Sequence, residues 1–185
     1  MRKLLLYIIS VFVFLSCDNK KFDSARLNDA SLFHSAMQNL SDIIVYDIFS
    51  PPVASRVYLY PSIAAYELMA RDMPFKYKSL VGQVKDLTKI PEPERDSQNY
   101  NLNLTILYAF NKVGKTLIFS DELMDNFEKR FTNKLNSIGV PRNIRNASEK
   151  YADKVAKHIL DWAKDDLYNQ TRTFPKYTIL EKEVY

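Results

Sequence analysis

Val45-Tyr46-Asp47-Ile48-Phe49-Ser50-Pro51-Pro52-Val53-Ala54-Ser55-Arg56-Val57-Tyr58 is the stretch on which the architecture turns. It reads as the end of one helix and the start of the next. The residue before a proline is pushed out of the helical region. Proline itself, with φ fixed near the helical value and no amide hydrogen to satisfy, suits a first turn. Ser50-Pro51-Pro52 is therefore a punctuation mark between two helices.

Upstream, Ser24 to Phe49 is expected to be the first helix. Phe33, Met37, Leu40, Ile44 and Ile48 recur every three or four residues and make one apolar stripe. Downstream, the second helix is expected from about Pro52 to Arg71. Val53, Val57, Tyr60, Ala64 and Leu68 share a face, Ala64-Ala65 permits close packing, and Pro61 predicts a kink or break.

Asp72 to Asp96 is irregular, punctuated by Met73-Pro74, Ile90-Pro91 and Glu92-Pro93, with room for a short helix near Ser79 to Val84. A third helix is expected over Ser97 to Phe119, with the stripe Leu102, Ile106, Ala109, Val113, Leu117. Ser120 then reads as the N-cap of a fourth helix, with Asp121 and Glu122 favouring its positive end. Leu123, Phe127, Phe131 and Leu135 are its buried edge, and Gly139 before Pro141 closes it. The fifth runs from Arg142 or Ser148 to Leu167, with Tyr151, Val155, Ile159 and Trp162 facing inward. From Tyr168 to Tyr185 the periodicity fades, and Phe174-Pro175-Lys176-Tyr177 looks extended. Only Gly82, Gly114 and Gly139 supply glycine, too few for a turn-rich sheet protein of 185 residues. The expectation is an all-α bundle of about five helices, itself part of a larger bundle.

The N-terminus carries a different kind of information. Met1-Arg2-Lys3 is basic, Leu4 to Leu15 is almost wholly apolar, and Ser16-Cys17 precedes the polar run Asp18-Asn19-Lys20-Lys21. This is the build of an export signal. The apolar run is shorter than the ~20 residues that a membrane-crossing helix needs. Leu15-Ser16-Cys17 resembles the bacterial lipobox, and Cys17 is the chain's single cysteine. The division expected is signal peptide 1–16, linker 17–23 after a lipidated Cys17, and helical domain 24–185. The location expected is the cell envelope, with the chain lipid-anchored in the periplasm or at the outer membrane. One cysteine excludes an internal disulfide. The formal charge of +4 includes Arg2 and Lys3 of the signal, so nucleic-acid binding is not expected.

Chemical motifs are sparse. Val113-Gly114-Lys115-Thr116 looks like the tail of a phosphate loop, but Ala109 stands where that motif needs its first glycine, and the segment lies mid-helix. His34 and His158 are the two histidines. His158 shares a helix face with Asp161 and Asp165, a spacing that can bind metal only when several such sets converge. No serine has the flanking glycines of a hydrolase elbow.

The opening stretch, with Ile63-Ala64-Ala65-Tyr66-Glu67 after it, resembles the N-terminal helical region of bacterial vanadium-dependent haloperoxidase-like proteins, within the type-2 phosphatidic acid phosphatase superfamily. The resemblance runs from about Leu32 to Tyr177, through the proline-rich loop and the helix ending in Trp162-Ala163. It implies a helical bundle that holds phosphate or vanadate. The pocket is made by a lysine, two arginines and a Ser-Gly-His, with a further histidine as nucleophile or vanadate ligand. This chain departs from that pattern. Its glycines follow Val81, Val113 and Ile138, so it has no Ser-Gly-His. No catalytic, cofactor-binding or metal residue is assigned. The resemblance then implies the front part of a longer protein, with the vanadate or phosphate pocket in a missing C-terminal part. Alone the chain would be no enzyme; continued, it would be phosphatase- or haloperoxidase-like. The partners expected are the membrane, through the lipid anchor, and either the missing half or a second copy. The alternative is a free-standing, non-enzymatic envelope lipoprotein that binds a partner or ligand.

Overall fold

The computed structural model describes residues 22–173; Cys17 and the segment from Phe174 to Tyr185 lie outside the described residues. The helices are α1 (Ala30–Tyr46), α2 (Pro51–Asp72), α3 (Leu102–Leu117), α4 (Asp121–Ile138), α5 (Arg142–Asp165) and α6 (Tyr168–Arg172). Short 3-10 turns precede α1 at Ser24–Leu27 and α3 at Arg95–Ser97. No strand occurs among the described residues, where a single bridge joins Val81 and Val84. The architecture is all-α, as expected.

The first expected helix is two elements. Asp23 accepts from the Ala25 amide at 2.9 Å and Asp29 accepts from the Ser31 amide at 2.9 Å, so two successive caps restart the chain. At the other end α1 stops at Tyr46. Ile48 takes a left-handed φ of 52° and turns outward, 80% exposed, instead of extending the stripe. A β-branched residue there is uncommon and strained.

α2 opens on Pro51 and Pro52, which present no amide hydrogens to be capped, and Ser50 makes no side-chain cap. The expected break at Pro61 does not occur: α2 runs unbroken to Asp72. Pro61 is buried in the packed face, and one missing bond within 22 residues is outweighed by that packing. Ser79 to Val84 is not helical, because Glu67 captures Ser79 and Leu80.

α3 is the centre. α2 and α5 pack most extensively against it, and α1 and α4 meet it more lightly. It starts at Leu102, later than expected, because the Asn101 side chain caps the Leu104 amide at 3.0 Å. Buried Ser148 of α5 accepts from the Asn101 amide at 2.9 Å, which ties the two helix beginnings together. Gly114 lets α1 approach: a Cβ there would stand 3.3 Å from Leu40 Cδ1. Ser120 stands at the N-cap of α4, but its hydroxyl donates to Asp47 Oδ1 at 2.5 Å instead of accepting from the helix. Gly139 ends α4 with φ of 81°, its amide bonding Leu135 and Asn136 carbonyls, as the sequence predicts. Of the two starts considered for α5, the earlier is found. α6 was not expected. No helix among the described residues is long and apolar enough to cross a membrane.

Candidate functional site

The two sides of the bundle differ in kind. On one side the loop between α2 and α3 crosses α2 and α5 and is held mainly by its backbone. Tyr66 Oη donates to the Lys78 carbonyl at 2.8 Å, and Trp162 Nε1 to the Lys85 carbonyl at 3.1 Å. His158 Nε2 lies 3.0 Å from the Thr88 carbonyl, and Tyr151 Oη donates to the Pro91 carbonyl at 3.1 Å. Glu67, 3% exposed, accepts from the Ser79 hydroxyl and the Leu80 amide, each at 2.7 Å. A buried carboxylate needs such donors to offset its desolvation. Arg71 adds a bond to the Tyr151 hydroxyl and an ion pair to Glu92 at 2.9 Å. Lys150 and Lys154 converge on Glu94, whose carboxyl they hold below its usual range.

At the end of α5, Tyr60 is wholly buried and donates to Asp166 Oδ2 at 2.5 Å. Burial, then this carboxylate, raises the Tyr60 phenol well above its ordinary value. Trp162 and Tyr168 meet the Tyr60 ring edge-on at 5.5 and 5.7 Å. Arg56 pairs with Asp166 at 3.2 Å and bonds the Thr171 hydroxyl. Together these contacts seat α6, and Tyr168 donates to the Leu117 carbonyl at 3.0 Å.

The other side is open. α4 and α5 each lean on α3 but make little contact with one another. Between them lies a cleft of about 690 Å³. Phe131, Tyr108, Leu160 and Ala156 supply its apolar walls. The Tyr108 and Phe131 rings stand edge to face at 5.9 Å. Burial first, and the Glu149 charge second, push the Tyr108 phenol up to about 12. Asn111 lines the cleft and is 3% exposed, and its Oδ1 finds no hydrogen-bond partner among the described residues.

The residues singled out in the sequence do not come together. His34 is exposed on α1, beside Gln38, Asp42 and Arg130. His158 faces the loop at Thr88, while Asp161 is engaged by Lys157 and by Lys164 at 3.0 Å. No group of three metal-ligating side chains occurs among the described residues. Lys115 pairs with Asp125 and, at 3.1 Å, with Glu128, so the Gly114-Lys115 pair belongs to a helix face. Those partners raise the Lys115 ammonium above its usual value, the Asp125 bond most. A vanadate pocket needs several cationic donors turned on one point. Here Arg56, Arg71, Lys112 and Lys115 are separately committed to carboxylates, so these four do not form such a cluster. Cys17 lies outside the described residues. The cleft and Asn111 were missed at the sequence level, where Asn111 is one polar residue on an otherwise periodic helix.

No protein-family model matches the sequence, and no curated protein matches it. Among solved structures, that of the first bacterial vanadium-dependent iodoperoxidase is similar, with a TM-score of 0.72 and 37% sequence identity. The match covers 83% of this chain and 36% of that one, so this chain spans about a third of the iodoperoxidase. The resemblance carried by Val45 to Tyr58 is thereby met: these helices have the vanadium haloperoxidase-like fold.

Proposed function

We propose that this chain is the helical scaffold region of an exported vanadium haloperoxidase- or acid phosphatase-like lipoprotein, tethered to the cell envelope through acylated Cys17. The observation that carries the reading is the 37% identity to the iodoperoxidase over 83% of this chain. The chain's sequence contains no Ser-Gly-His, and Arg56, Arg71, Lys112 and Lys115 are each paired with a carboxylate. The oxyanion pocket therefore belongs to other residues than these, and the role of this part is to hold helices in place. Its partners on this reading are the membrane, through the lipid, and the pocket-bearing part of the protein or a second copy.

Titration of the purified chain with orthovanadate, followed by vanadium NMR, tests this. The expected result is no bound vanadate and no halide oxidation. Bound vanadate in this chain alone overturns the scaffold reading. Labelling with a fatty-acid analogue in cells tests the tether: label is expected on the parent protein and absent from Cys17→Ser. A second reading, a free-standing envelope protein that binds a ligand, is favoured by the cleft over α3.

A further inference from the structure

We propose that the end of the bundle nearest Cys17 docks directly on an anionic lipid surface, with Phe75 entering the lipid and the lysines and arginines around it meeting the headgroups. The proposal deepens the tether reading and rests on it for the presence of a membrane. Three observations support it.

The first is where the chain enters. Arg26, in the turn Ser24–Leu27, donates to the carbonyl of Ile138, the last residue of α4, at 3.4 Å. Asn103, in the first turn of α3, donates to Asn28 at 2.6 Å, and the Asn101 amide meets Ser148 near the start of α5. Met69, in the last turn of α2, lines one small hollow with Leu27. The starts of α1, α3 and α5 and the ends of α2 and α4 therefore share one end of the bundle. Phe22 is the fifth residue after Cys17, a reach of at most about 17 Å. An acyl chain on Cys17 holds this end, not the other, against the bilayer.

The second is Phe75, which follows α2 directly. It is 106% exposed, more than any other large apolar side chain among the described residues. The turn that carries it is pinned. The Lys76 and Tyr77 amides both donate to the Met73 carbonyl, at 2.9 and 3.0 Å. The Tyr77 ring meets that of Tyr66 edge-on at 6.3 Å, and the Tyr66 hydroxyl holds the Lys78 carbonyl. An aromatic ring presented in this way between two lysines suits the boundary between headgroups and acyl chains.

The third is charge. Arg26, Lys76, Lys78, Lys134 and Arg142 are exposed at this end, and none forms an ion pair among the described residues. α5 opens on Arg142 and Arg145 with no acid in its first turn, against the preference of a helix's positive end. The acids Asp23, Asp29 and Asp72 share the end, capping amides or accepting from Tyr100, and the cations outnumber them. At the opposite end Arg56, Lys115 and Lys164 each have a carboxylate, and Arg172 stacks on Phe119. Unpaired cations are thus concentrated where the chain enters, and anionic headgroups are their complement.

The chain from Cys17 onward keeps every described residue. Coupling its one cysteine to a maleimide-bearing lipid supplies the tether chemically. Failed fatty-acid labelling in cells then counts against the tether reading, and failed docking on these vesicles counts against this proposal. The vesicles are brominated phosphatidylcholine with or without phosphatidylglycerol. Phe75→Trp is the reporter. Trp162, about 30 Å along α5 from Arg142, is the reference in the parent. On vesicles with phosphatidylglycerol the Phe75→Trp emission is expected to shift to the blue and to be quenched, while the parent emission is not. The double change Lys76→Glu, Lys78→Glu is expected to abolish the shift and the quenching with helical circular dichroism unchanged, and high salt to weaken them. The proposal is overturned if Phe75→Trp is not quenched, if neutral vesicles quench it as strongly, if the double change leaves the quenching intact, or if Trp162 is quenched equally. A blue shift without vesicles also overturns it, by assigning Phe75 to a contact between proteins.

Discussion

The loop-covered side and the open side of this bundle are built from the same central helix, yet they spend their polar groups in opposite ways. On the covered side, buried polar atoms are matched: Glu67 has two donors, and Tyr151 both accepts from Arg71 and donates to Pro91. On the open side, Asn111 is buried without a partner and the charges pair along the walls rather than across the gap. The difference is that the first side matches Glu67 and Tyr151 as folded, whereas the second leaves the Asn111 oxygen buried and unmatched. Matched polar groups rigidify a packed face, while an unmatched buried one marks unused hydrogen-bonding capacity.

The sharpest way to break this comparison is Tyr151→Ala. Tyr151 is fully buried and joins α5 to the loop. Its truncation is expected to cost roughly 3–5 kcal/mol, as for other buried aromatics, and to lower Tm by about 10 °C or more in a chain of this size. Glu67→Ala comes next. It strips the Ser79 hydroxyl and Leu80 amide of their acceptor, at about 1–3 kcal/mol. Hydrogen exchange should show faster amides around residues 79–84 while α4 is unchanged. Equal exchange in both places would show that the loop is not held through Glu67.

Asn111→Leu has the opposite sign. Replacing an unsatisfied buried amide by an apolar group of similar size is expected to leave stability unchanged or to raise it by about 1 kcal/mol in urea denaturation. A loss of more than that would mean that Asn111 is already satisfied. The smallest effect is alkaline. The Tyr108 phenol is held up to about 12 against an ordinary 10.0, so the unfolded chain ionises first. Its contribution is fully present below pH 10 and is lost as pH rises from 10 through 12. Tyr108→Phe should flatten part of the fall in Tm over that window.

The helices were legible in the sequence because their stripes are local. Val53, Val57, Tyr60, Ala64 and Leu68 are all buried on α2, and Phe127, Phe131 and Leu135 on α4. The stripe misled at Ile48, where period alone cannot register that Asp47 leaves the helix to accept from Phe119 and Ser120. At Pro61 the helix does not break, since a propensity gives way when the residue is buried in packing. The cleft was not legible at all. It exists because α4 and α5 diverge after the turn at Gly139, and divergence is a tertiary fact with no local period. Cys17 remains a reading of the sequence.

The donors that hold the loop are side chains of Tyr66, Tyr151, His158 and Trp162, but the groups they meet are carbonyls of Lys78, Pro91, Thr88 and Lys85. A carbonyl is the same whatever residue bears it. Mutation should therefore fall unequally on the two partners in each pair. A library of substitutions would find the loop positions permissive and the four helix positions strict, so this segment can drift in sequence over evolutionary time while keeping its path.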